Sequence, residues 1–244
     1  MKKYLLPALL WLLALAPALA QTETAPAAAN GPQVRPLEKF RAINVGTGIE
    51  LVLTAGHTQQ VEVSATTLDQ REHILTTVRD GVLNVHYDNP EEHDNNSKKS
   101  RQNRKLRVAV TADQLTALAA GSGAAVTASG PFAAPDFQFD ISSGAAVRAD
   151  INVGVLIVRQ NGGSVMDLTG QAPRFDLKIT SGSVFNGEKL LTNRSQIEAS
   201  SGSMAKLAVK EVLLAEASSG SSIKYYGSPE VTKNATGGST IAGR

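Results

Sequence analysis

The sequence predicts an all-β chain: a right-handed parallel β-helix, a solenoid of about seven coils over residues 112–244, with an N-terminal β segment over residues 40–111. Three observations carry this. A glycine-centred phrase recurs about every twenty residues, apolar side chains keep a fixed register on that glycine, and the residues before the repeat alternate apolar and polar with a period of two.

The first elements read as addresses rather than as fold. Met1 to Lys3 are basic, Tyr4 to Ala20 are apolar, and Ala18-Leu19-Ala20 before Gln21 is a small-x-small cleavage site, so residues 1–20 read as a secretory signal peptide. Pro17 argues against a retained membrane span, the lack of any Cys excludes a lipoprotein anchor, and no later apolar run is long enough to cross a bilayer. The expected product is exported and soluble, periplasmic or extracellular. A chain of 244 residues without thiols suits an oxidising compartment and has no disulfide scaffold, and 42% apolar content excludes wholesale disorder. Lys and Arg number 24 against 22 Asp and Glu, and Lys2 and Lys3 account for the excess. A neutral mature chain argues against nucleic acid as a partner. Residues 21–39, with Ala25-Pro26-Ala27-Ala28-Ala29, read as a flexible linker.

From Phe40 the period is two. Ile49, Leu51 and Leu53 share one side of their run, as do Val61, Val63 and Ala65, then Leu83, Val85 and Tyr87, then Leu106, Val108 and Val110. Asp80-Gly81 supplies the positive φ angles of a tight type I′ hairpin, and Gly46 and Gly48 mark a bulge or corner in the first strand. Asn89 to Lys105, first acidic and then basic, reads as a solvated loop; its mixed sign weakens the alternative of an electrostatic docking loop.

The repeat then takes over. Its corner glycines are Gly123, Gly144, Gly163, Gly182, Gly202, Gly220 and Gly238, in steps of 21, 19, 19, 20, 18 and 18 residues, each among Ser, Thr, Asn or Gly neighbours. Leucine-rich repeats share the period but need a Leu and Asn consensus that is lacking here. Three, five and seven residues before the glycine stand apolar sets such as Ile141, Phe139 and Phe137, or Ile179, Leu177 and Phe175. Three residues after it come Val126, Val147, Met166, Phe185, Ala205, Ile223 and Ile241. These predict inward stacks, with coils about 4.8 Å apart and glycine at the corner because it reaches positive φ without steric cost. The crossover rule sets the right hand.

The stretch from Phe40 to Leu53, the turn Asp80-Gly81-Val82-Leu83, Gly121-Ser122-Gly123 and the following Ser-Ser-Gly copies resemble the head-GIN domain, a bacterial family known as auto-transporter adhesins. The resemblance covers residues 40–244 and implies an exported β-helical domain with an adhesive role, and it transfers no catalytic residue. Gly48-Ile49 is followed by Glu50 where the family's name has Asn.

Chemistry would have to sit on the outer face, because β-helix lyases and hydrolases cluster Asp, Lys, Arg or His there. Four residues before each corner glycine from Gly144 onward stand Asp140, Arg159, Lys178, Glu198, Glu216 and Asn234; two residues earlier stand Gln138, Ile157, Asp176, Gln196, Leu214 and Thr232. Asp140 with Arg159, and Lys178 with Glu198, are expected as opposite-charge rungs on a self-compensated face. A catalytic use of Asp176 with Glu198, or of Asp140 with Arg159, is the alternative. The four histidines lack metal-ligand spacing, no Gly-x-Ser-x-Gly elbow occurs, and no cofactor is expected. Trp11 leaves with the signal peptide, so among Tyr225 and Tyr226 the outward Tyr226 is the solenoid's candidate for stacking on a sugar.

The expected function is therefore an exported, non-enzymatic binding or adhesion module of the cell envelope, its partner a protein or glycan. Two other classes stay open: a glycan-active β-helix enzyme, lyase or hydrolase, and a scaffold or sensor partner in an envelope system. Self-association through the C-terminal coil is also expected, because a final coil exposes unpaired backbone groups, with Lys233 and Pro229 giving partial protection.

Overall fold

A computed structural model describes residues 31–88, 104–130 and 132–244. The signal-like segment, most of the linker and most of the charged loop at 89–105 lie outside the described residues.

The N-terminal segment holds β1 (Gln33–Val34), β2 (Ala42–Val45), β3 (Glu50–Ala55), β4 (Gln60–Ala65), α1 (Leu68–Glu72), β5 (Ile74–Arg79), β6 (Val82–Tyr87) and β7 (Leu106–Ala112). Thr67 caps α1 by accepting from the Gln70 amide, a bond that satisfies one orphan helix donor. β5 and β6 form an antiparallel hairpin whose turn residues Asp80 and Gly81 have φ of 52° and 74°, the conformation that Asp-Gly was expected to adopt. β1 and β7 pair with β4, also antiparallel.

All other pairing is parallel. β8 (Ala117–Ala120), β9 (Ala125–Ser129), β10 (Phe132–Ile141), β11 (Ala146–Gln160), β12 (Val165–Gln171), β13 (Arg174–Ile179), β14 (Val184–Ala199), β15 (Met204–Ala217), β16 (Ser222–Tyr226), β17 (Glu230–Ala235) and β18 (Thr240–Gly243) stack coil on coil. The result is a parallel β-solenoid of about seven turns. β11, β14 and β15 are long because each continues as strand past the side opposite the glycine corner, where its pairing is interrupted for a few residues and then resumes.

Each corner is a two-residue left-handed turn, and the glycine is its second member. The first member is Ser122, Ser143, Ser181, Ser201 or Ser219, or Gly162 or Gly237, at φ between 48° and 64°; the glycine after it lies between 69° and 75°. The corner glycines also form a ladder. The Gly123 amide donates to Ser143 O at 3.0 Å, Gly144 to Gly162 O at 2.9 Å, Gly163 to Ser181 O at 3.0 Å, and so on to Gly220 and Gly237 O at 2.9 Å. Thr47-Gly48 joins the same ladder, with φ of 58° and 69° and the Gly48 amide on Ser122 O at 3.0 Å. So the bend expected at Gly46 and Gly48 is an eighth corner. β2 and β3 lie parallel to β8 and β9 on one side and to β6 and β7 on the other, which makes the N-terminal segment continuous with the stack.

The inward register is as the sequence predicts. Phe137, Phe139, Ile141, Phe175, Leu177, Ile179 and Leu213 are all at most 4% exposed, and so are Val126, Val147, Met166, Phe185, Ala205 and Ile223. Phe175 and Phe185 stack with ring centres 5.2 Å apart. The residue after each corner glycine from Gly123 to Gly220 is also buried, and where it is polar it must be satisfied. Ser203 Oγ donates to Ile179 O at 3.1 Å and Ser221 Oγ to Ala199 O at 2.9 Å, each reaching back to an earlier coil.

Candidate functional site

Two outer regions bring chemical groups together. The first is the rung face before the corners, where parallel pairing puts Asp140 beside Arg159, Arg159 beside Lys178, Lys178 beside Glu198 and Glu198 beside Glu216. The expected ion pairs form, Arg159 Nη1 to Asp140 Oδ1 at 3.7 Å and Lys178 Nζ to Glu198 Oε2 at 3.2 Å. Gln138 Nε2 also donates to Asp140 Oδ2 at 2.6 Å. These side chains are about half exposed, so each pair contributes no more than about 1 kcal/mol. Asp176 lies in one shallow groove with Arg159, Lys178, Gln196 and Glu198, about 400 Å³ in volume. A second groove next to it joins Lys178, Glu198, Glu216 and Asn234 to the hydroxyls of Ser200 and Ser218.

The second region is the edge opposite the corners. Here Gln171, Leu191, Ala208 and Tyr226 occupy one register row on four successive coils. The coil of β14 is longer than its neighbours, and its pairing slips between Gly187 and Leu191, a β-bulge that sets Glu188 outside the ladder. Tyr226 donates its hydroxyl to Glu188 Oε1 at 2.9 Å, and Lys206 Nζ lies 3.8 Å from the same oxygen. This hydrogen bond raises the Tyr226 phenol above its ordinary value; desolvation and the Glu188 charge add to the shift, and Arg244 opposes it. Tyr225, next along the strand, packs against the core instead. The row borders a groove of about 570 Å³, walled in part by Pro173, Asn193 and Lys210. Leu191, at 62% exposure, is the most exposed large apolar side chain among the described residues.

Alternation alone pointed to Tyr226. The bulge that anchors it was missed, and its trace in the sequence is the step of 20 from Gly182 to Gly202 between steps of 19 and 18. Among the described residues there is no group of three or more His, Asp or Glu able to hold a metal ion, and no helix long and apolar enough to cross a membrane.

The fold and these grooves define a parallel β-solenoid domain with shallow sites on its outside. The chain belongs to the head-GIN family: residues 39–229 match the family model described as "putative auto-transporter adhesin, head GIN domain". No curated protein matches it. Among solved structures it is similar to a "putative adhesin" from Bacteroides fragilis, at 19% identity and TM-score 0.76, covering 87% of this chain and 96% of that one. A "putative adhesin" from Parabacteroides merdae is similar at 16% identity and TM-score 0.69, with 88% and 95% covered. A "putative lipid binding protein" from Parabacteroides distasonis follows at 11% identity and TM-score 0.65, with 87% and 96% covered. At these identities the shared property is the fold.

Proposed function

We propose that this protein is an exported, non-enzymatic binding module that attaches to a protein or glycan of the cell envelope or surface. The observation that carries the reading is the pairing of the rung-face charges. Asp140 and Glu198 are each paired with a cation one coil away, which makes this a charge-compensated outer face suited to contact. A rigid stack with compensated charge offers a long surface for contact at little entropic cost. The basic, apolar and small-x-small order of residues 1–20 supports export, and the family's description supports adhesion. Labelled full-length protein should bind whole cells or envelope fractions saturably, and failure to bind either would overturn the reading.

A second reading is favoured by one observation. Asp176, Glu198, Lys178 and Arg159 share a groove, which is the constellation a glycan lyase would use. Metal-independent depolymerisation of an acidic or neutral polysaccharide, abolished by Asp176→Asn, would establish that reading and displace the first.

A further inference from the structure

The row Asn152, Gln171, Leu191, Ala208 and Tyr226 crosses five coils in register. Rungs lie about 4.8 Å apart, so Leu191 and Tyr226 stand roughly 10 Å apart with the small Ala208 between them. This spacing opens the groove. Tyr226 does not swing freely in it, because its hydroxyl is held by Glu188 in the coil of Leu191, two rungs away. The ring is thus pinned across the gap beside an exposed leucine. The groove's 570 Å³ is within the size range of small-ligand sites.

Its lining has a definite chemistry. Tyr226 and Leu191 supply apolar surface, while Gln171 and Asn193 bring amides that both donate and accept. Of the described residues lining the groove, Lys210 alone is charged, and it makes no ion pair among the described residues. Glu211, its neighbour, is turned to Arg194 at 3.7 Å. A pinned aromatic ring suits the C–H face of a pyranose, paired amides suit its hydroxyls, and an ammonium group without a carboxylate suits a ligand that brings one. An acyl chain would make no use of the amides or of the lysine.

We propose that the Tyr226 groove binds an acidic saccharide, with a pyranose stacked on Tyr226 and its carboxylate on Lys210. The inference rests on the reading of the protein as a binding module and names the ligand class of that module. Calorimetric titration of the full-length protein with tetragalacturonate, cellotetraose and vesicles of anionic phospholipid tests it, alongside binding to envelope fractions. Tetragalacturonate is expected to bind, cellotetraose to bind more weakly, and added salt to weaken the former. Tyr226→Ala should weaken tetragalacturonate binding about tenfold, and Lys210→Ala should both weaken it and flatten its salt dependence. Thermal melting checks that each variant is folded, and Lys210→Ala, on an exposed side chain, decides the matter if Tyr226→Ala is not. Equal binding of cellotetraose, binding of vesicles in place of saccharide, or affinity untouched by Lys210→Ala overturns the proposal. Attachment to envelope fractions without tetragalacturonate binding overturns this inference alone; loss of both overturns the binding-module reading as well.

Discussion

Leu177 and Lys178 are adjacent on β13 and face opposite ways, which makes them a sharp test of the solenoid register. Leu177 is 2% exposed and lies in register between Val158 and Ile197, both buried. Leu177→Ala removes three carbons, about 2.4 kcal/mol of transfer free energy at roughly 0.8 kcal/mol each. The cavity adds to this, because Val158 and Ile197 are held at rung spacing by their own backbone ladders and cannot close in. An unrelaxed void of about 60 Å³ costs a further ~1.4 kcal/mol, so the expected loss is about 3 to 4 kcal/mol. Lys178→Ala removes an exposed side chain and its 3.2 Å contact with Glu198, for a loss within about 0.5 kcal/mol. Urea unfolding of the two variants followed by far-UV circular dichroism measures both. Equal losses, or a larger loss for Lys178→Ala, would refute the inward and outward assignment of this strand.

Three further outcomes are expected. Gly182→Val should cost at least about 1 kcal/mol in the same assay through its φ of 69° alone, since a Cβ there meets nothing within 4 Å; an unchanged midpoint would remove strain as the reason for glycine. The Tyr226 phenol, raised chiefly by its bond to Glu188, should ionise above the ordinary tyrosine value in an ultraviolet pH titration. That bond is complete below the unfolded-chain pKa of about 10 and is lost as pH rises through the higher folded value, and Tyr226→Phe should delete this raised step from the titration. β17 and β18 pair with β15 and β16 on one side only among the described strands, and Lys233, in register with inward Ala215, is exposed. Light scattering should therefore show self-association with slow amide exchange in residues 228–244, whereas a monomer at tens of micromolar with fast exchange there would refute it.

The sequence by itself determined the repeat, its period, which residues point inward and which charges meet on the rung face. It could do so because a solenoid makes long-range neighbours out of residues at a constant offset: Lys178 meets Glu198 for the same reason that Gly182 precedes Gly202 by twenty. Where that constancy fails, tertiary structure decided. Gly48 stands 75 residues before Gly123, so no periodic reading could join Thr47-Gly48 to the corner ladder, although the Gly48 amide bonds to Ser122 O. The left-handed serine before five of the seven corner glycines was equally hidden, because serine has no intrinsic preference for that conformation and adopts it where the ladder holds the corner. The groove at Tyr226 depends on the longer coil of β14, which has one residue more than the coil before it and two more than the coil after it. That extra length shows in the sequence as a longer step, but the direction in which the bulge sends Glu188, and hence which ring it anchors, is set by packing between coils that the chain reaches only after folding.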